Sequence, residues 1–354
     1  MSRVARQAPS GQIVMWSSDA TKITIQNHTV IISEYISQVQ SSISALAHKV
    51  DSEILFGIKF SSESFALPSQ TRETYDMQTL GFGMFTLSTD SDHHPAGYFL
   101  EQLCQSGVLC SRQGDEIIWD IKSTNQWLLA ISEAWSETLT LMHLLALPGR
   151  GTEVSSWQYA NSPTSPRHLF LSRNLGTLIT YSNYNKTTTI TGQHKHILRV
   201  IPFGLSTIIT KLLRIIRPVE MFAFTSRVTG NKLEIQKIYN TYMFVSYGKV
   251  WDSETLSACL RNWFLQKLKV PFGLHLHRHF AQALQCMFLS YKQDNELAKV
   301  ANLVMGHGSE VADLNYAREA QDLSLDTSTR RRMEQVGSDW IKKIHKVEVS
   351  PALA

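Results

Sequence analysis

The chain has 354 residues, 43% of them apolar and 10% aromatic, with 18% charged and only 10 Pro and 18 Gly. That is enough apolar material for one large or two modest cored domains, and it excludes the disordered, fibrous and collagenous classes. The net charge of +4 conceals an asymmetry: residues 1–149 hold 8 Lys/Arg against 15 Asp/Glu, whereas residues 150–354 hold 26 against 15. A basic half beside an acidic half fits either a polyanionic partner or a solvated surface, and charge alone does not choose between them.

In chain order, a polar leader precedes an amphipathic helix over about 29–50, where Ile32, Tyr35, Ile36, Val39, Ile43, Leu46 and Val50 recur at steps of three and four. Residues 60–96, rich in Ser, Thr, Asp and Gly, read as loop. A helix over about 97–109 and a short strand in 114–120 follow. A strong helix then runs from Asn125 to Leu147, with Trp127, Leu128, Ile131, Trp135, Leu139, Met142 and Leu145 on one face, and stops at Pro148-Gly149. The runs 168–174, 177–185 and 197–203 predict a small antiparallel sheet with a turn at Asn174-Leu175-Gly176. Helices are expected at 204–216, 218–225, 253–268, 275–290, 294–305, 309–320 and 327–347, with a strand at 242–246. The fold class is therefore α+β, mainly helical, with an N-terminal helical region over 1–109 and a second domain over 110–354.

Four cysteines without a C-x-x-C pair argue against a disulfide scaffold and a Cys-built zinc site, and for a reducing compartment. No uncharged apolar run reaches eighteen residues, and Met1–Ser10 lacks the apolar core of a signal peptide, so a soluble intracellular protein is expected. His93-His94 lies in a Ser-rich loop beside Asp90 and Asp92, where solvated histidines are commoner than a metal site. The chemistry-bearing pattern lies later: His275-Leu-His-Arg278-His279, then Leu303-Val-Met-Gly306-His307, then Tyr316. His275 and Arg278, three apart, share one face of a helix. A single helical His is usually structural, but an ordered set of such groups asks for a common cause.

H-x-x-R-H, then L-x-G-H in its looser form Leu-Val-Met-Gly-His, then a Tyr nine residues on, resembles the C-terminal signature of the tyrosine recombinase (phage-integrase) family. That family also implies an upstream Arg in an R-x-x-E context and a Lys in an intervening β-hairpin. Gly149-Arg150-Gly-Thr-Glu153 resembles the first, and Tyr184-Asn-Lys186-Thr, leading to Arg199-Val-Ile-Pro202, resembles the second. The resemblance covers about residues 120–325. Two departures stand out: His277 occupies the position before Arg278 where Leu is usual, and Pro148 and Gly151 flank Arg150 where a helix would continue. Arg217, in Arg-Pro-Val-Glu220, is a competing R-x-x-E; Arg150 is preferred because it leaves a lysine-bearing hairpin between the two arginines. Within the family the likeness is to fungal Crypton-type transposon recombinases and the recombinase-like region found with some fungal RecQ-like helicases.

The resemblance implies cleavage and rejoining of double-stranded DNA through a 3′-phosphotyrosyl link, as in recombination or integration. Tyr316 would be the nucleophile, Arg150 and Arg278 the clamps on the phosphoryl oxygens, Lys186 the general acid, His275 the general base, and His307 a donor to the phosphate. No cofactor and no metal are implied; the location would be the nucleus in a eukaryote and the cytoplasm otherwise. A type IB topoisomerase-like enzyme, or a silent DNA-binding domain of the same fold, would use the same residue types. The stripe Met333, Val336, Trp340, Ile344 and Val347 beside Arg330-Arg331-Arg332 forms an amphipathic C-terminal helix, suited either to self-association on DNA or to packing on its own domain.

Overall fold

A computed structural model describes residues 14–61, 75–85, 94–182, 196–289, 291, 295–304 and 327–350. The segment expected as a polar leader contributes a three-stranded antiparallel meander, β1 (Val14–Trp16), β2 (Lys22–Ile25) and β3 (His28–Ile31), with Ile23 opposite Val30 and both buried. It leads directly into α1 (Ile32–Lys49), whose buried face is Ile32, Tyr35, Val39, Ser42 and Leu46, the predicted stripe with Ile36 and Ile43 at its half-buried margin. A wide helical turn, Val50–Ile54, continues it.

α2 (Pro95–Ser106) begins with a proline where no helical N–H is needed, and ends at Gly107 with φ +65°, a left-handed stop that suits glycine. The hairpin β4 (Cys110–Gln113) and β5 (Glu116–Trp119) comes next. It feeds α3 (Ile121–Leu145), which starts where the Asp120 carboxylate accepts from the Ser123 N–H at 2.7 Å. The first half of α3 is amphipathic, but from Thr138 to its end every residue is buried. α3 is thus the central post of the molecule. A short helix, α4 (Gly151–Ser155), stands just beyond it.

Around α3 the described elements form one core. β6 (Leu169–Ser172), β7 (Thr177–Ser182) and β8 (Ile197–Val200) make an antiparallel sheet in that order, buried at every position because both faces are covered. α5 (Phe203–Lys211) passes through a wide turn, Leu212–Ile216, into α6 (Arg217–Thr225), in place of the two separate helices expected. The turn ends just before Pro218, which has no N–H to give an α-helical ladder. α7 (Lys232–Thr241) is an element that the sequence pattern does not announce. The segment expected as a strand at 242–246 yields only a two-residue pairing of β9 (Val245–Ser246) with β10 (Lys249–Val250). α8 (Ser253–Leu268), α9 (Leu274–Phe288), α10 (Asn295–Val304) and α11 (Thr327–Asp339) complete the order, the last extending through a wide turn to Ile344. The helix expected at 309–320 lies outside the described residues. The architecture is mixed α and β, mainly helical with small antiparallel sheets.

Two findings bear on the expected organisation. Tyr35 of α1 sits among Trp263, Phe264 and Phe280, and its hydroxyl lies 2.9 Å from His345 Nε2, so the segment before residue 110 shares its core with residues 110–354. The apolar stripe of the C-terminal helix is consumed within its own chain. Met333, Val336, Trp340 and Ile344 are buried, the Trp340 indole N–H donates to the Leu144 carbonyl at 2.9 Å, and Gly337 faces Val200. That face is not left for self-association.

Candidate active site

α3 cannot continue beyond Leu145: Leu147 takes φ +63° and Pro148 comes next. Arg150 is then extended, with φ −82° and ψ 147°, and α4 begins directly after it. Pro148 and Gly151 are thus what aims this arginine. A Cβ on Gly151 would lie 3.0 Å from both Leu274 Cδ1 and Ser253 Cβ, so the glycine lets the start of α4 press against the starts of α8 and α9. Arg278 stands one turn into α9, at the same junction.

The consequence is electrostatic. Arg278 is half-buried, and its guanidinium is driven below the usual arginine range first by burial, then by the positive charges of Arg150 and Arg199, with Glu153 acting the other way. Arg199 projects from β8 and is 1% exposed. It forms a buried ion pair with Glu153 through both terminal nitrogens and donates to the Val304 carbonyl at 3.3 Å, at the end of α10. Glu153 also accepts from the Arg150 backbone N–H at 3.2 Å and from Ser182 Oγ at 2.7 Å. Burial raises the Glu153 carboxyl, but Arg199, Ser182 and the Arg150 amide outweigh it, and the group stays ionised below the ordinary carboxylate range. Among the described residues three guanidinium groups stand against one carboxylate, a net positive set, and guanidinium forks suit the oxygens of a phosphodiester.

His275 is exposed on α9, its ring 4.8 Å from that of His279 in an edge-to-face arrangement. His279 is pushed down by burial and by the neighbouring His275 and Arg278. His277 points the opposite way, fully buried, with its ring 5.1 Å from His143 and 5.5 Å from Phe264. His143, from the buried end of α3, is held down to about 3 by burial and then by Arg199 and Arg278, so it is a neutral wall of the cluster.

Arg217 belongs to different surroundings. It is buried, pairs with Glu220 at 3.6 Å, donates to the Met243 carbonyl at 2.6 Å, and lies over the rings of Trp135 and Tyr239 at 4.7 and 5.4 Å. Burial raises the Glu220 carboxyl to about 7. The second R-x-x-E is therefore a structural brace, and the arginine brought to Arg278 is Arg150. Lys186, His307 and Tyr316 lie outside the described residues. His94, considered beside His93 for a metal, accepts from the Ala96 N–H at 3.3 Å and caps α2; His93 lies outside the described residues.

Sequence reasoning passes over Arg199 and His143 as site residues. Arg199 does carry a signal: one charged residue inside the apolar run Ile197-Leu-Arg-Val-Ile201, which a buried strand tolerates only with a counter-charge. No family model matches the chain, and no solved structure matches it. Among the described residues no helix is long and apolar enough to cross a membrane.

Proposed function

We propose that this chain cleaves and rejoins DNA strands through a phosphotyrosyl intermediate, with Tyr316 as nucleophile. The observation that carries the reading is the meeting of Arg150 and Arg278, 128 positions apart in sequence, in one net positive cluster beside the Arg199–Glu153 pair. Gathering like charges is unfavourable in the free protein, and a phosphate anion relieves it.

In this reading Arg150 and Arg278 take the non-bridging oxygens and stabilise the added charge of the transition state more than the ground-state phosphodiester. Glu153 and Arg199 hold Arg150's backbone and the end of α10 in register. His275, exposed on the same helix as Arg278, is the base that assists the Tyr316 phenol, whose ordinary pKa near 10 leaves it a poor nucleophile unaided. Lys186 protonates the departing 5′-oxygen and His307 donates to the phosphate. Reversal by a 5′-hydroxyl restores the backbone, because the phosphotyrosyl bond keeps the energy of the one it replaced. Binding would rest on phosphate contacts from the basic half and weaken steeply with salt.

A nicked suicide duplex tests this directly. Wild type should accumulate a covalent protein–DNA adduct; Tyr316→Phe should form none while binding DNA nearly as well. Arg278→Ala and Arg150→Ala should lose cleavage far more than affinity, since one clamp among many phosphate contacts matters most in the transition state. An adduct persisting in Tyr316→Phe would remove that residue. DNA binding without any adduct in wild type would leave a silent binding domain in its place.

A further inference from the structure

Away from the arginine cluster, the sulfurs of Cys104 and Cys110 lie 3.4 Å apart, and neither is in a disulfide. Cys104 is half-buried on the last turns of α2, and Cys110 is buried at the start of β4 opposite Trp119. The chain reverses between them at Gly107, whose left-handed backbone brings β4 back alongside the helix it has just left. Contact at this distance is only somewhat more than 1 Å longer than a disulfide bond of about 2.05 Å, a gap that side-chain rotation can close without rebuilding the backbone. The other two cysteines, Cys259 on α8 and Cys286 on α9, share no such contact with them among the described residues.

We propose that Cys104 and Cys110 are a redox pair that a low-molecular-weight disulfide of the glutathione type converts to a reversible intrachain disulfide, stapling the end of α2 to β4. The balance is that of thiol–disulfide exchange. The Cys104 thiol, the more accessible of the two, loses its proton, attacks one sulfur of the oxidant and releases one reduced thiol. The Cys110 thiol then loses its proton and attacks the Cys104 sulfur of the mixed disulfide, releasing the second. Two protein thiols are oxidised, one external disulfide is reduced to two thiols, and no other reagent enters. Burial, together with the hydrogen bond that the Cys110 thiol shares with Cys104, pushes the Cys110 thiol up to about 12, so the second step is slow at neutral pH and speeds up as pH rises.

What the bond would hold is specific. α2 places Phe99 against Trp127 on α3, with ring centroids 6.3 Å apart, and also packs on the wide turn 212–216. The staple fixes the C-terminal end of this helix beside the hairpin that feeds α3. In a reducing compartment the pair stays open; oxidation locks it. None of this depends on the proposed DNA chemistry.

The test uses the full chain, reduced and then incubated with glutathione disulfide, alkylated, and mapped by mass without reduction. Free thiols should fall from the four of the reduced chain to two, with the peptide carrying Cys104 and Cys110 lighter by two hydrogens, and excess dithiothreitol should restore all of them. Closure should accelerate with pH, and the oxidised protein should melt above the reduced one. Cys104→Ser should keep Cys110 alkylatable and abolish that difference in melting. A glutathione adduct that persists on Cys104 while Cys110 remains alkylatable, a bond from either residue to Cys259 or Cys286, or no loss of thiols would each overturn the proposal.

Discussion

His277 stands where the resembling family usually carries Leu, and the structure makes the difference measurable. The side chain is 0% exposed, packed among Phe264, Phe280 and His143, and among the described residues neither ring nitrogen has a hydrogen-bond partner. A buried polar group left unpaired costs about 1–3 kcal/mol, and leucine is close enough in volume to replace it without a large cavity. His277→Leu should therefore stabilise the protein. At ~2.1 cal/mol/K per residue the unfolding entropy of a chain this long is about 0.7 kcal/mol/K, so a gain of about 2 kcal/mol raises Tm by about 3 °C if the chain melts as one unit. The effect should grow in acid. Burial, then the nearby His143, His345 and Arg278, hold the His277 imidazole well below its ordinary 6.5. A base whose folded pKa is depressed supports full stability above 6.5 and loses it as pH falls, because the unfolded chain takes up the proton first. Each pH unit between that value and the folded pKa costs about 1.4 kcal/mol. Scanning calorimetry of both proteins at pH 7 and pH 5 checks this. A variant that melts below wild type at pH 7, or a gap that does not widen at pH 5, would refute the reasoning.

Glu153→Gln leaves the Arg199 charge buried with a weakened partner and should cost about 3–5 kcal/mol in urea unfolding; a loss under about 1 kcal/mol would mean that the pair is not closed in solution. Gly337→Ala would set a Cβ 2.9 Å from Val200 Cγ2 and 3.0 Å from its Cβ. It should destabilise by about 1–3 kcal/mol, with partial recovery in the double variant with Val200→Ala. Glu220, whose carboxyl burial raises to about 7, has the opposite pH sign to the histidines: its contribution is present below its ordinary 4.5 and is lost as pH rises through 7. Glu220→Gln should flatten that slope in urea midpoints taken from pH 5 to pH 8.

The parts of the fold that are legible in the sequence are those where period and length agree. α1 and α3 carry their apolar stripes over many turns, and the buried strands β6 and β7 flank an obvious turn. The meander before α1 escapes such a reading because its strands are three or four residues long, too few for alternation to stand out, although Ile23 and Ile25 do alternate with Lys22 and Thr24. α7 escapes it for a different reason. Of its ten residues only Tyr239 is buried, so there is no stripe to see, and its start depends on the Asn231 side chain accepting from the Glu234 N–H at 3.3 Å.

The site divides along the same line between local and tertiary information. Motif spacing offers both R-x-x-E segments, and nothing local separates them except the lysine-bearing hairpin between Arg150 and Arg278. Tertiary structure separates them by what surrounds each guanidinium. The two terminal nitrogens of Arg217 meet two backbone carbonyls and a carboxylate, and its guanidinium lies over two aromatic faces, surroundings that leave those nitrogens little for a ligand. Arg150 has its backbone tied to Glu153 and its charge directed at Arg278. The carboxylate of that box is spent on Arg199, a residue 46 positions away on a strand, which in turn reaches the end of α10, three residues before His307 in sequence. The glutamate of the box thus serves less as a partner for its own arginine's side chain than as an anchor that couples three segments: the start of α4, the sheet and the end of α10. A change at Arg199 should therefore be felt on both sides of the proposed phosphate site, although Arg199 appears in neither R-x-x-E nor H-x-x-R.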